Sequence, residues 1–341
     1  MSLIPLFLLY RLRAYCWKYH LRAFSSKYHL RAFSSKYQSD HLGQNHQADL
    51  TSVIIPCKGT DFEFEKNLSH LTLLDPRRFE VIFVTATDDD PAREAILQTI
   101  EKLREKKMAA KLITAGIRQT CAQKLFNLVQ GAKAVSSHAK FLVFIDADVR
   151  VEERMLLALI RPLSDDSVGA TTGFPIFIPS SRISSIVRFA WGVGGMLMLA
   201  DSKKVFTHGA INSMRRRDFI DYRVEEKYLN SVSDSLTLTS IIRTHGKQIV
   251  FVPEAVVPSH DDISPLDLLK WSNRLTILMK IYHPQFWIVM FMNYATLFIL
   301  YVLMIVLSLQ SGSPRDGAIV MSAFVVYPLL QVYIFQKIVE F

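Results

Sequence analysis

The chain has 341 residues, half of them apolar and 21% charged, with 40 Lys and Arg against 31 Asp and Glu for a formal net charge of +9. That apolar content excludes intrinsic disorder for most of the length, and only 13 Gly and 13 Pro exclude collagen-like and low-complexity readings. Three scattered cysteines (Cys16, Cys57, Cys121) fit neither a disulfide framework nor a zinc site and point to a reducing, cytosolic face, while a mean hydropathy of +0.19 directs attention to membrane segments.

In chain order, Leu3 to Tyr10 comes first: apolar, too short to span a bilayer, and followed by no small-residue cleavage site. A perfect tandem repeat follows, KYHLRAFSS at 18–26 and again at 27–35. Two such copies cannot build a solenoid, so recent duplication is the simpler explanation. Between Arg11 and Lys36 stand seven Lys and Arg and no acid, interleaved with aromatic residues. Such a segment beside a membrane is drawn to anionic headgroups, at about 1 kcal/mol per basic residue. Nucleic-acid binding is the competing reading, and the apolar runs near the carboxyl end count against it. Residues 38–49 read as a polar linker, so 1–50 forms a basic, membrane-proximal segment.

From 51 to 258 short apolar runs alternate with helical patterns. Thr51–Pro56, Phe79–Val84 and Phe141–Ile145 are β-branched or aromatic runs of strand length. Pro91–Lys107 and Thr120–Val135 carry apolar positions near a 3.6 period, the first opening with Pro after three acids. The alternation predicts an α/β domain with a mostly parallel sheet buried on both faces. Chemistry is then expected beyond the carboxyl ends of the strands.

Three acidic features fall near such positions: Asp88-Asp89-Asp90-Pro91, Asp146-Ala147-Asp148, and Asp234 at the start of a helix that stops at Gly246. In an extended segment positions i and i+2 share a side, so Asp146 and Asp148 can converge on one hard cation, Mg²⁺ or Mn²⁺, that leaves room for phosphate oxygens. No Walker loop is present to cradle phosphate otherwise. Such a metal stabilises a departing nucleoside diphosphate; the plainer reading is a solvated turn. Asp88–Asp90 complement a helix amino terminus. For Asp234, either it or Ser233 caps the helix, or Asp234 sits in the cleft as a general base. Lys124 and Asn127 share a helix face and can approach phosphate or ribose, or simply face solvent. His260-Asp261-Asp262 has too few ligands for zinc and precedes a helix with Ser264 as cap and Pro265 in its first turn. Ile183–Ala200 reads either as the wall of an interfacial groove or as a buried helix.

Phe286 to Leu309 runs 24 residues without a charge, enough to cross a hydrocarbon core. A polar turn, 310–316, precedes 19 more uncharged residues, 317–335, kinked at Pro328. The pair predicts a spanning helical hairpin. Arg274, Lys280 and Lys337 flank it against Arg315 alone in the turn, which places the preceding domain on the cytoplasmic side. The expected organisation is therefore 1–50, a catalytic domain at 51–258, an interfacial helix at 259–285 and two membrane helices at 286–341.

The order of these features resembles the inverting family 2 type glycosyltransferases, and among them the ceramide glucosyltransferases, over about residues 51–283. The local matches are Pro56-Cys-Lys58-Gly59, Asp89-Asp90-Pro91-Ala92, Lys124-Leu-Phe-Asn127-Leu128 and Gly209-Ala-Ile-Asn-Ser-Met214-Arg215-Arg-Arg-Asp218. The resemblance implies a GT-A fold, a UDP-sugar donor (UDP-glucose), a divalent metal, and transfer with inversion to the hydroxyl of a lipid, ceramide, at the cytosolic membrane face. It implies Asp146 and Asp148 as the metal motif, Asp234 as general base, and Lys58, Asp88, Lys124 and Asn127 near the donor. The family's first nucleotide-site Asp aligns with Thr87 rather than Asp88. Its Gln/Arg-x-x-Arg-Trp motif reads Trp271-Ser-Asn-Arg274-Leu275 here. Arg274 keeps a charge that neutralises diphosphate or flanks the membrane, and Trp271 is the candidate for the missing aromatic. A hopanoid-like lipid or a polysaccharide as acceptor, and a non-catalytic scaffold of the same fold, are the competing readings.

Overall fold

The structure, a computed structural model, describes residues 49–60, 63–199 and 205–311. The tandem repeat and the second expected span, 317–335, lie outside the described residues. The chain divides into two compact units, Met1–Ser264 and Pro265–Phe341.

The first unit is built on seven strands: β1 (Leu50–Pro56), β2 (Phe79–Thr85), β3 (Ala110–Thr114), β4 (Ala139–Ile145), β5 (Val168–Pro179), β6 (Ile211–Arg215) and β7 (Gln248–Asp261). They form one sheet in the order β3-β2-β1-β4-β6-β5-β7. Every pairing is parallel except those of β6, which runs against both β4 and β5. The α/β class with a mostly parallel sheet is thus as the alternation predicts. Eight helices accompany it among the described residues: α1 (Phe64–His70), α2 (Arg93–Glu105), α3 (Gln123–Lys133), α4 (Glu153–Ile160), α5 (Ile183–Met198), α6 (Arg216–Asp221), α7 (Val224–Tyr228) and α8 (Asp234–Thr244).

Side chains on a strand alternate between faces, and both faces are buried here. Val53 and Ile55 pack with Leu68, Ile96, Leu103, Met155 and Leu159 of α1, α2 and α4. Ile54, between them, packs with Leu125, Leu128 and Val129 of α3 and with Leu238 and Ile242 of α8. From β1 the sheet extends to β2 on one side and to β4 on the other, and an open α/β sheet binds its ligands at such a switch point. Gly131 seats α3 against the sheet: a Cβ there would lie 2.5 Å from Ile54 Cγ2 and 3.0 Å from Val84 Cγ2.

Four strands carry no clean strand pattern in the sequence. β6, Ile-Asn-Ser-Met-Arg, reads polar, yet it is wholly buried. Its Ser213 Oγ shares a hydrogen bond with Thr171 Oγ1 at 2.6 Å, and Asn212 Nδ2 donates to His208 O at 3.2 Å. β5 and β7 are interrupted by Gly and Pro, and their pairing shifts register at Val168/Ala170 and again at Thr172/Phe174.

The second unit has α9 (Pro265–Tyr282), which opens at the expected Pro265, and α10 (Pro284–Ser311). The expected boundary at 258 falls inside β7, which continues to Asp261. Among the described residues no helix is long and apolar enough to cross a membrane, several side chains of α10 lying outside that description. The spanning hairpin is therefore not borne out by the described residues, although α10 occupies the first expected span as one continuous helix of 28 residues.

Candidate active site

The Asp-Ala-Asp triplet leaves the end of β4 as a turn: Val149 N donates to Asp146 O at 3.1 Å. This corrects the extended geometry expected for it. Asp146 N donates to Ala210 O at 2.9 Å, continuing the β4–β6 ladder by one bond, so the half-buried Asp146 is held against the turn that enters β6. Asp148 is exposed, and its carbonyl accepts from Asn67 Nδ2 at 3.2 Å.

Lys124, in the first turn of α3, reaches that edge. Its Nζ lies 2.6 Å from Asp146 Oδ1 and 2.9 Å from Asp234 Oδ2, and donates to Gly209 O at 3.0 Å. Asp234 is available because Ser233 takes the cap of α8, its hydroxyl accepting from Leu236 N at 3.4 Å. Asp234 Oδ1 accepts from Ser235 N at 2.8 Å. Its Oδ2 is buried and ion-paired with the Lys124 ammonium. Gly209 sits opposite: a Cβ there would come within 2.9 and 3.0 Å of the two Asp234 oxygens. Close approach of backbone to carboxylate requires glycine at this position.

The electrostatics follow from burial and shared charge. Burial pushes the Asp146 carboxyl up to about 6, with Asp234 and Asp148 adding to the effect and Lys124 opposing it. For Asp234 burial acts in the same sense, but Lys124 and the Ser235 N–H outweigh it and hold the carboxyl below its ordinary range. Burial disfavours the Lys124 charge, and the two carboxylates more than restore it, so its pKa is raised. His208 is lowered to about 4, by burial and then by the Lys124 charge, and is neutral at pH 7. Its Nδ1 accepts from Ala210 N at 3.2 Å.

Asp146 and Asp234 therefore share one ammonium, and a diphosphate entering beside them is favoured by a further cation. Carboxylate oxygens are the donors that Mg²⁺ and Mn²⁺ take. No three His, Cys, Asp or Glu side chains among the described residues are arranged to hold a metal by themselves. A Mg²⁺-like ion on Asp146 and Asp148 would complete its shell from water and phosphate, as such ions usually do. The residue types fit that arrangement, and the Asp148 charge lies near enough across the turn to raise the Asp146 carboxyl. Asp148 also borders a cleft of about 430 Å³ whose wall includes Asn67, Arg150, Met155, Arg188 and Glu254.

The other expected residues are distributed as follows. Lys58 is exposed just beyond β1, and the next residue, Gly59, at φ 64°, donates from N to Asp90 Oδ1 at 2.8 Å. The same Asp90 oxygen accepts from Ala92 N at 2.9 Å, which ties Gly59 to the turn that leads into α2. Asp88 is exposed and ion-paired with Arg93 at 2.9 Å, and it accepts from Thr114 Oγ1 at 2.6 Å. Asn127 is buried, its Oδ1 accepting from Gln123 Nε2 at 2.8 Å. Trp271 and Arg274 lie on α9 in the second unit, Arg274 exposed. In Gly209–Asp218 the structure separates two roles. Gly209 faces the site, whereas Arg215 is buried and spends its guanidinium on Asp218 (2.6 Å) and on the carbonyls of Leu163, Asp165 and Val168. Sequence reasoning missed His208 and the bridging role of Lys124; a glycine between two strand-length segments was the available signal for the turn.

The family model of Glycosyl transferase family 21 matches residues 17–339. No curated protein matches the chain. Among solved structures the chain is similar to the mannosyltransferase PcManGT from Pyrobaculum calidifontis in complex with GDP-Man and Mn²⁺, at 18% identity and TM-score 0.48, over 75% of this chain and 71% of that one. It is also similar to glucosyl-3-phosphoglycerate synthase from Mycobacterium tuberculosis in complex with Mg²⁺ and uridine-diphosphate, at 15% identity and TM-score 0.44, over 69% of this chain and 79% of that one.

Proposed function

The chain belongs to glycosyl transferase family 21 and is a glycosyltransferase; from that premise we propose that it moves glucose from UDP-glucose to the hydroxyl of a membrane lipid, ceramide, with inversion. The observation that carries the chemistry is the Asp234 carboxylate, buried and held ionised by the Lys124 ammonium 2.9 Å from its Oδ2. Such an oxygen is suited to accept the proton of an acceptor hydroxyl. The acceptor oxygen then attacks the anomeric carbon, the bond from that carbon to the diphosphate breaks, and UDP leaves with the bonding pair. Inversion follows from a single displacement on the face opposite the leaving group. A divalent metal, Mg²⁺ or Mn²⁺, held by Asp146 and Asp148 supplies positive charge that stabilises the departing diphosphate. Lys124 bridges Asp146 and Asp234 before the donor binds, and Gly209 leaves room for the base.

Membrane association on the cytoplasmic face is part of the same proposal. It is supported by the uncharged run 286–309, by the exposure of Phe298, Leu307 and Leu309 on α10, and by the basic amino-terminal segment. Ceramide as acceptor is tested directly. Membranes from cells expressing the chain are supplied with labelled UDP-glucose, ceramide and Mn²⁺ or Mg²⁺, beside Asp146→Ala and Asp234→Asn controls. Lipid-extractable label that vanishes in both variants supports the proposal. UDP-glucose binding without labelled ceramide removes ceramide as acceptor, and absence of UDP-glucose binding removes the donor.

A further inference from the structure

We infer that Lys124 is the resident counter-ion of the carboxylate pair: it yields Asp146 to an incoming divalent cation only as it turns to the donor diphosphate, so that cation and nucleotide bind as a coupled pair. The inference rests on the metal and donor assigned in the proposed function and concerns what this lysine does to their order of binding.

An ammonium has three N–H groups, and Nζ has three partners, at 2.6 Å (Asp146 Oδ1), 2.9 Å (Asp234 Oδ2) and 3.0 Å (Gly209 O). The shortest of these contacts is to the carboxylate that the metal needs. A divalent cation bonded to Asp146 would therefore lie close to a fixed positive charge, and the two repel. The repulsion is relieved when an anion enters between them. A diphosphate provides that anion, since its oxygens serve the metal and the ammonium at once. Lysine suits such an exchange, being a point charge on a flexible four-carbon stem rather than a planar fork. Gly209 O and Asp234 stay in place during the exchange, because Asp234 is tied to Ser235 N and Gly209 belongs to the turn closed by Ile211 N donating to His208 O at 3.3 Å. Lys124 is in this sense a positioning residue, keeping Asp234 anchored while its other partner changes from carboxylate to phosphate.

The test measures Mn²⁺ binding to the purified full chain in detergent, by the loss of the free-ion EPR signal, with and without UDP. In the wild type, UDP is expected to tighten Mn²⁺ by about tenfold or more. In Lys124→Met, Mn²⁺ alone binds about tenfold tighter than in the wild type, and the tightening by UDP shrinks to about threefold or less. Lys124→Arg, which keeps the charge, returns Mn²⁺ affinity in the absence of UDP toward the wild-type value; a merely structural lysine would not produce tighter metal binding on its removal. Asp146→Asn identifies where the ion sits. If Asp146→Asn weakens Mn²⁺ while Lys124→Met leaves both the affinity and the coupling unchanged, this inference fails and the metal assignment stands. If Asp146→Asn leaves Mn²⁺ affinity unchanged, the metal assignment fails and the inference falls with it.

Discussion

Asp146, at the end of β4, and Asp234, at the start of α8, share one cation, Lys124 Nζ, at 2.6 and 2.9 Å. The two carboxylates repel each other across it, and each raises or lowers the cost of removing the other. Neutralising one leaves Lys124 still paired and relieves the repulsion, so Asp146→Asn and Asp234→Asn each change stability little. Neutralising both leaves a half-buried ammonium with no carboxylate of the pair beside it and Gly209 O as its acceptor. The double variant is expected to be less stable than the sum of the singles by about 1–3 kcal/mol, read from thermal unfolding of all four proteins. Strict additivity would mean that the ammonium is not shared in solution.

Gly209→Ala places a methyl group within 3.0 Å of both Asp234 oxygens. The carboxylate is displaced while the turn, whose φ is not in the left-handed region, is free to form. Turnover is expected to fall by about a hundredfold, with the unfolding temperature nearly unchanged, because small misplacements of a reacting group are costly. Comparable losses of turnover and of stability would show that the turn itself had failed.

Arg215 and Asp218 form a buried ion pair that also satisfies three backbone carbonyls. Arg215→Met leaves the Asp218 carboxylate and those carbonyls without it, at an expected cost of about 3–5 kcal/mol. Surviving folded protein should retain its UDP affinity, measured by calorimetry. A specific loss of nucleotide affinity at undiminished stability would assign this arginine to the site instead.

His208 gives stability a pH dependence of known sign. Its folded pKa, lowered to about 4 by burial and by Lys124, lies below the ordinary value of 6.5, so the unfolded chain binds the proton first. The stability contributed by the neutral ring is fully present above pH 6.5 and declines as the pH falls toward 4, by at most ~3 kcal/mol. His208→Gln should flatten that part of the stability profile, and an unchanged slope would exclude His208 as its source.

The three strands with β-branched or aromatic runs were legible in the sequence because both of their faces are buried, so their runs are mostly apolar; the acid inside β2, Glu80, is itself buried and accepts from Ser52 Oγ at 2.5 Å and Ser136 N at 2.7 Å. β6 was not, since Asn212 and Ser213 are buried on hydrogen bonds that only the folded neighbours supply. The carboxylates of the site were likewise visible as residue types. The helix cap was ambiguous between Ser233 and Asp234, and only the hydrogen bond to Leu236 N assigns it to Ser233. Lys124 could be placed on a helix face but not on its partners. Its reach depends on how closely α3 lies on β1, which Gly131 permits through a contact with Ile54 that no local pattern announces.

The reversed direction of β6 has a consequence for how this chain tolerates insertion and deletion. Ile145 pairs with Ile211, so the segment entering β6, rather than one leaving it, is what reaches the cleft. Its length is a ruler: adding or removing one residue between His208 and Ile211 would shift Gly209 past Asp234 or turn β6 over, exchanging its two buried faces. Positions 117–120, exposed beyond β3, belong to no strand register and can absorb changes of length. Variation among related chains should therefore accumulate as inserted residues in the second segment and as side-chain replacements alone in the first.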